Sequence, residues 1–264
     1  MFIFQRDPAG FLSPEQRILM QAFLSGPQDP APYRSCAYDD LGSLREETCA
    51  IPVGSVEFVR RWGDLQGLTE AIKRSWPGTY PPALYPHMRR TVWQSTLDEA
   101  RAYARHHPIF VKPALLEGTK VFTGQVLKAG QPCADITRLP KSLMVWCSTP
   151  VVFMAEYRAY VVRGELVGVA RYDEGPEDRA PEPDLSLIRS WIQDFSMAPA
   201  GYALDVGLLE GGETAIVEVN DGWALGYYRG ISPSDYRDVI AARWEEIVAL
   251  GLSMDPHGPV ALSL

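Results

Sequence analysis

Residues 202–228 read YALDVGLLEGGETAIVEVNDGWALGYY, and the rest of the chain is read outward from them. Two apolar-rich runs flank Gly211-Gly212, and paired glycines supply the positive φ angles of a two-residue hairpin turn. With the turn there, Asp205 lies directly opposite Glu218. Side chains alternate along a strand, so Asn220 shares the face of Glu218. The other face pairs Leu204 with Val219, Val206 with Val217 and Leu208 with Ala215, an apolar surface suited to a core. Two carboxylates opposed across a ladder repel. A hard divalent cation offsets that repulsion, and Mg²⁺ is typically held by one or two carboxylates plus substrate phosphates. A hairpin whose polar face simply meets water leaves the same pattern. An Asn two residues past the Glu, ahead of a Gly-containing loop, favours the metal.

A second stretch, PIFVKPALLEGTKVFTG at 108–124, places Lys112 at the end of a strand and Lys120 at the start of the next. Lysines are scarce here, and a lysine is a flexible point charge able to reach a phosphate. Gly118 lies in the intervening loop, where backbone N–H groups can approach the same phosphate. Solvated surface lysines would give the same string. Neither GxxxxGK[ST] nor GxGxxG occurs, which argues against a P-loop and a dinucleotide fingerprint. A further hairpin is expected over 152–173, turning at Arg163-Gly164. That register faces Glu156 with Arg171 and puts Arg158 on the same side, with Tyr157, Ala159, Val161, Leu166 and Ala170 opposite. The polar face is either a solvated ion pair or an arginine pair aimed at phosphate oxygens.

An Asp followed by Glu-x-Asn at the end of a hairpin resembles the Mg²⁺-binding end of ATP-grasp enzymes. VEVNDGWALGYY, FVKP with K-x-F-T-G, and AEYRAYVV together resemble the ATP-grasp clade named for one arginine and two lysines. The resemblance runs from about 108 to 230, with a looser match at IPVGSVEFV (51–59). It implies an α+β ATP-grasp architecture, two sheet-containing lobes enclosing a nucleotide, with a smaller N-terminal α/β pre-grasp region. It makes Lys112 and Lys120 the two lysines and Arg158 the arginine, with Arg171 a lesser catalytic candidate. MVWCS (144–148) falls where the interdomain hinge meets adenine, so Met144, Trp146 and Ser148 join Lys112, Lys120, Gly118 and Glu156 as cofactor-binding candidates. Asp205, Glu218 and Asn220 are the metal candidates. The implied cofactors are ATP and Mg²⁺. The implied activity is carboxylate–amine ligation through an acylphosphate, on small-molecule or peptide substrates carrying a carboxylate and an amine. A small-molecule kinase and a non-catalytic nucleotide-binding module are the alternatives.

The chain has 264 residues, 46% hydrophobic and 22% charged, an ordinary globular composition with length enough for a sizeable core. A net charge of −8 argues against nucleic acid or an anionic membrane as partner. The four cysteines are scattered without a CxxC pair, which excludes a zinc pattern or a disulfide scaffold. No signal peptide or transmembrane run is read, so the cytoplasm is expected. Oligomeric state is left open.

Two regions are expected, 1–90 and 91–264, joined by the proline-rich WPGTYPPALYPHMRR (76–90). Expected helices are 14–24 capped by Ser13, 64–75, 97–105 capped by Thr96, 185–195, and 233–250 capped by Ser232. Expected strands are 2–5, one within 50–60, 109–112, 121–126 and 143–147, with 26–34 a loop. His106-His107 is read as closing a helix, Cys147 as a core residue and Trp223 as packing. EGPEDRAPEPD (174–184) is either a lid or a linker.

Overall fold

The computed structural model describes residues 1–24, 32–114, 121–131, 134–173 and 181–254. Gly118, Lys120, Cys133 and residues 174–180 of the acidic loop lie outside them.

The first layer is a parallel sheet. Strand β1 (Phe2–Arg6) lies between β2 (Tyr33–Ala37) and β3 (Ile51–Val53). Helix α1 (Pro14–Leu24) follows β1, and Ser13 Oγ accepts from the Gln16 amide as the cap. The stretch read as a loop to residue 34 already enters β2 at Tyr33. Two helices replace the single one expected at 64–75: α2 (Val56–Leu65) and α3 (Thr69–Arg74). Ser55 starts α2, accepting from the Phe58 amide at 3.2 Å, and Gly67 stands just past its end at φ +71°. Glycine reaches that region without strain.

The second layer is an antiparallel sheet in the order β4-β7-β5-β6: β4 (Val92–Thr96), β5 (Ile109–Pro113), β6 (Gln125–Leu127) and β7 (Met144–Ser148). Strand β6 is shorter than the run read over 121–126. Helix α4 (Leu97–Ala104) covers one face, started by a capping box between Thr96 and Glu99. A single turn, α5 (Ala134–Thr137), precedes β7. Val145 and Cys147 point to the α4 side with Leu97 and Ile109, as alternation requires. Burial, and secondarily Glu99, pushes the Cys147 thiol up to about 11, and burial also raises Cys36. Cys49 is exposed. Iodoacetamide at pH 8 is therefore expected to label Cys49 in the native protein and to spare Cys36 and Cys147 until denaturant is added. Mass spectrometry of the alkylated peptides checks this; Cys147 reacting as fast as Cys49 would contradict the burial assigned here.

The third layer is the antiparallel sheet β11-β10-β8-β9, built from β8 (Phe153–Val162), β9 (Glu165–Arg171), β10 (Gly201–Leu209) and β11 (Thr214–Asp221). Helix α6 (Leu185–Asp194), with Leu84 and Met88 of the 76–90 segment, covers the face bearing Leu204, Val206 and Val219. Helix α7 (Pro233–Met254) and the first layer cover part of the other face, around Tyr160 and Ala203. The uncovered part of that second face holds the polar side chains. The 76–90 segment also protects the β11 edge, where the Val219 amide donates to the Thr79 carbonyl at 2.9 Å. Among the described residues no helix is long and apolar enough to cross a membrane.

Two registers differ from expectation. The β10–β11 turn is wider than Gly211-Gly212: the Leu209 amide donates to the Glu213 carbonyl and only Gly212 takes a positive φ, of +83°. Val206 therefore faces Ile216, and Leu208 faces Thr214. A bulge at Asp205/Val206 takes up the extra residue, so Asp205 still opposes Glu218 and Leu204 still opposes Val219. In the other hairpin a bulge at Tyr160/Val161 shifts β9 without compensation. Arg158 faces Ala170, and Arg171 faces Tyr157 instead of Glu156.

Candidate active site

Strand β10 carries Asp205 between two charged neighbours in register, Glu218 on β11 and Arg158 on β8. Arg158 closes a bidentate pair with Asp205, Nε to Oδ1 and Nη2 to Oδ2, both at 2.8 Å. The guanidinium lies beside the neighbouring rings of Tyr172 and Tyr228, at 5.5 and 5.3 Å from their centroids, which are themselves 5.7 Å apart. Flat aromatic faces suit a planar cation and hold it in one orientation. Asn220 donates from Nδ2 to Asp205 Oδ2 at 2.9 Å and to Glu218 Oε1 at 3.4 Å. Lys112 reaches across from β5, forms an ion pair with Glu218, and rests 4.7 Å from the centre of the Tyr80 ring. The repulsion between opposed carboxylates is thus offset here by Arg158 and Lys112.

The electrostatics follow from burial and these contacts. Burial raises Asp205 to about 6, against the lowering effect of Arg158. Burial pushes Glu218 the same way, but Lys112, Asn220 and Arg158 outweigh it and hold the carboxyl below its ordinary range. Burial would lower Lys112, yet Glu218 and the Tyr80 hydroxyl leave it raised and charged. Two carboxylates and a side-chain amide lie together, a set that would suit a hard cation once Asn220, whose nitrogen faces both carboxylates, turned its oxygen to the ion. Among the described residues no group of three His, Cys, Asp or Glu side chains converges, so phosphate oxygens would have to complete a Mg²⁺ shell.

The cluster stands in the wall between two clefts. The first, about 770 Å³, is lined by Lys112, Glu156, Glu218, Ser148 and the link Pro150–Phe153 between the second and third sheets. The second, about 510 Å³, opens against Arg158 and Asn220 and reaches the first layer through Val56 and Arg60. Volumes of this order accommodate small ligands.

The chain runs from β7 of the second sheet to β8 of the third through residues 149–152. The connection between the lobes is therefore this segment and not MVWCS, which is a central strand. Ser148 still lines the first cleft, whereas Met144 and Trp146 line the second. Glu156 faces the first cleft and accepts the Tyr172 hydroxyl at 2.5 Å. Arg171 leaves the cluster: the bulge turns it to the Tyr157 side, where it pairs with Asp173 at 2.7 Å. Three contributors escape the sequence reading. Tyr172 and Tyr228 pack together against Arg158, and Arg90 donates to the carbonyls of Ile216 and Val217 at the β11 bulge. Nothing local in the sequence marks any of them, because each acts across the fold.

A family model matches residues 87–239, more than half of the chain; it describes an ATP-grasp domain, family 2 of the clade named for one arginine and two lysines. The protein belongs to this ATP-grasp family. A search of curated proteins returns no match. Solved structures share the ATP-grasp fold at low identity. A RimK domain ATP-grasp protein from Sphaerobacter thermophilus is 15% identical, with 94% of this chain and 98% of that chain covered and a TM-score of 0.53. The ATP-grasp ligase PsnB, solved with precursor peptide PsnA2 and AMPPNP, is 11% identical over 95% of this chain and 97% of its own, with a TM-score of 0.50. D-alanine–D-alanine ligase from Bacillus anthracis complexed with ATP is 12% identical, with coverages of 96% and 98% and a TM-score of 0.51. The two lobes of the ATP-grasp fold here are the second and third sheets, and the first sheet is the N-terminal α/β layer.

Proposed function

We propose that the protein is an ATP- and Mg²⁺-dependent ligase that joins a carboxylate to an amine through an acylphosphate, on an amino acid or a peptide. The observation that carries this reading is the Asp205–Glu218–Asn220 cluster standing between two clefts. Nucleotide in the first cleft brings its phosphates to Lys112. An acceptor in the second cleft meets those phosphates beside Arg158. Phosphoryl transfer asks a protein mainly for position and charge neutralisation, and these residues supply both.

Each side chain has a role in this scheme. Asp205, Glu218 and Asn220 hold Mg²⁺, which when bound neutralises phosphate charge. Lys112 exchanges Glu218 for phosphate oxygens, and Lys120 contributes its charge to the same phosphates. Arg158, held by Asp205 and the two tyrosine rings, neutralises charge on the transferred group. A carboxylate oxygen of the acceptor attacks the γ-phosphorus, and the bond to ADP breaks. The amine nitrogen then attacks the acyl carbon, phosphate leaves, and the amine proton is released. Proteins of this fold solved with a peptide and AMPPNP, and with ATP, support these ligand classes as the first to try.

Calorimetric titration of AMPPNP with and without Mg²⁺ tests the reading. Binding is expected to depend on Mg²⁺ and to weaken about tenfold or more in Glu218→Gln, which keeps shape but removes a ligand charge. Equal binding by the variant would sink the metal assignment, and no binding by the wild type would sink the nucleotide site.

A further inference from the structure

The register of the carboxylate cluster depends on one bulge, and one arginine grips that bulge. Counted from the turn, Val206 faces Ile216, so an unbroken ladder would set Asp205 against Val217 and Leu204 against Glu218. Glu218 would then point to the apolar face, away from Asp205 and Lys112. The extra residue, Val217, returns Glu218 to Asp205. Strand β11 lies at the edge of its sheet, with β10 on one side and the 76–90 segment on the other. Arg90 ends that segment. Its Nη1 donates to the Ile216 carbonyl at 2.8 Å and its Nη2 to the Val217 carbonyl at 2.5 Å. Successive carbonyls of a regular strand point to opposite edges, so one planar fork of donors reaches both only where the strand is bulged. The guanidinium therefore stabilises the bulged form over the regular one.

Arg90 is itself held in place. Its Nη1 also donates to the Met88 carbonyl at 3.2 Å, and the guanidinium lies 5.9 Å from the centre of the Tyr80 ring and 5.6 Å from that of Phe153. Arg89, just before it, takes a φ of +52°, a region that residues other than glycine occupy only when their surroundings impose it. The Tyr80 ring that meets Arg90 also meets Lys112, 4.7 Å from its Nζ. One arginine thus touches the strand that carries Glu218 and the ring that supports its partner Lys112.

We propose that Arg90 is a positioning residue for the metal-dependent chemistry: by gripping the Ile216 and Val217 carbonyls it keeps β11 bulged and Glu218 opposite Asp205. It acts through Glu218 and not on the substrates. This assignment rests on Glu218 being the Mg²⁺ ligand of the ligase reading above.

A double-mutant cycle on the full chain tests it, read by calorimetric titration of AMPPNP at saturating Mg²⁺. Arg90→Met keeps the bulk and loses the donors, and is expected to weaken AMPPNP binding about tenfold. In the Glu218→Gln background the same replacement is expected to cost less than about twofold, because the charge it positions is already gone. Arg90→Lys, a point charge without the fork, is expected to fall between the wild type and Arg90→Met. Equal losses in the two backgrounds would mean that Arg90 meets the nucleotide itself in the first cleft, which it lines. Wild-type affinity in Arg90→Met, whatever its unfolding midpoint, would make the arginine a brace for the fold alone. Either result overturns the proposal. If Arg90→Met does not fold, the cycle is run with Arg90→Lys: a loss confined to the Glu218 background supports the proposal, and equal losses or none overturn it. AMPPNP binding that is absent from the wild type, or indifferent to Glu218→Gln, is a separate result that removes the ligase reading before Arg90 is changed, and the positioning role with it.

Discussion

Arg243→Met is expected to lower the stability of the fold by about 3–5 kcal/mol, the cost of leaving one member of a buried ion pair without its partner. The Arg243 side chain is 0% exposed. It grips Asp221 with two donors, Glu246 at 2.7 Å and Ser75 Oγ at 2.9 Å. Glu246 in turn accepts the Ala200 amide at 3.0 Å. One guanidinium thus ties α7 to the end of β11, the start of β10 and the end of α3. Gly201 and Gly222 permit that approach. A Cβ on Gly201 would meet the Val239 carbonyl at 2.1 Å, and one on Gly222 would meet the Gly201 carbonyl at 2.2 Å. Without Arg243, the Asp221 carboxyl, already raised by burial, has lost the cation that opposes the rise. Methionine fills the volume, so the loss measured is chiefly electrostatic. A lower midpoint of urea unfolding with unchanged slope checks it. Arg163→Ala is the control: the Arg163–Glu245 pair is 67% and 61% exposed, so its loss should cost about 0–1 kcal/mol. Equal midpoints for the two variants would refute the anchoring role.

The contrast between these two arginines also shows where sequence reading stops. Both sit beside carboxylates in the fold, but nothing in the string separates the buried one from the exposed one. Burial of Arg243 depends on two glycines distant in the chain. Hairpins are more legible, because turn chemistry and period-two alternation are local. Asp205 meets Glu218 as the sequence leads one to expect, although the turn is wider than Gly211-Gly212, because the bulge at Asp205/Val206 restores the register. The same reasoning fails at Arg171, where the bulge at Tyr160/Val161 has nothing to offset it and one residue of slip exchanges the faces. Strand β2 escapes the sequence because a short parallel strand is defined by its neighbour β1 and not by its own pattern. Lys112 and Arg158 stand out through family likeness. The tyrosines beside Arg158 do not, since their contact with it arises only when the strands and the turn after β11 come together.

Arg158→Met should cost about 3–5 kcal/mol by itself, because it strands Asp205, 3% exposed at its side chain, next to Glu218. The double replacement Arg158→Met with Asp205→Leu removes both charges and substitutes apolar groups of similar bulk. It should recover most of that stability, since a buried ion pair contributes little once its desolvation is counted. The coupling between the two sites, taken from the double-mutant cycle, should then be about 2 kcal/mol or more. Function should not recover with stability. The double variant lacks one of the carboxylates proposed to hold Mg²⁺ and the arginine proposed to face the transferred group, so Mg²⁺-dependent AMPPNP affinity should remain at least about tenfold weaker than in the wild type. Denaturation midpoints and calorimetry on the same four proteins separate the two effects. A stable double variant that binds Mg²⁺ and AMPPNP like the wild type would mean that the Arg158–Asp205 pair merely holds β8 against β10. A double variant as unstable as Arg158→Met would mean that the pair is structurally irreplaceable. Stability restored with binding still lost is the outcome that assigns the pair to the chemistry, because an ion pair replaceable by hydrocarbon without harm to the fold is there for another reason.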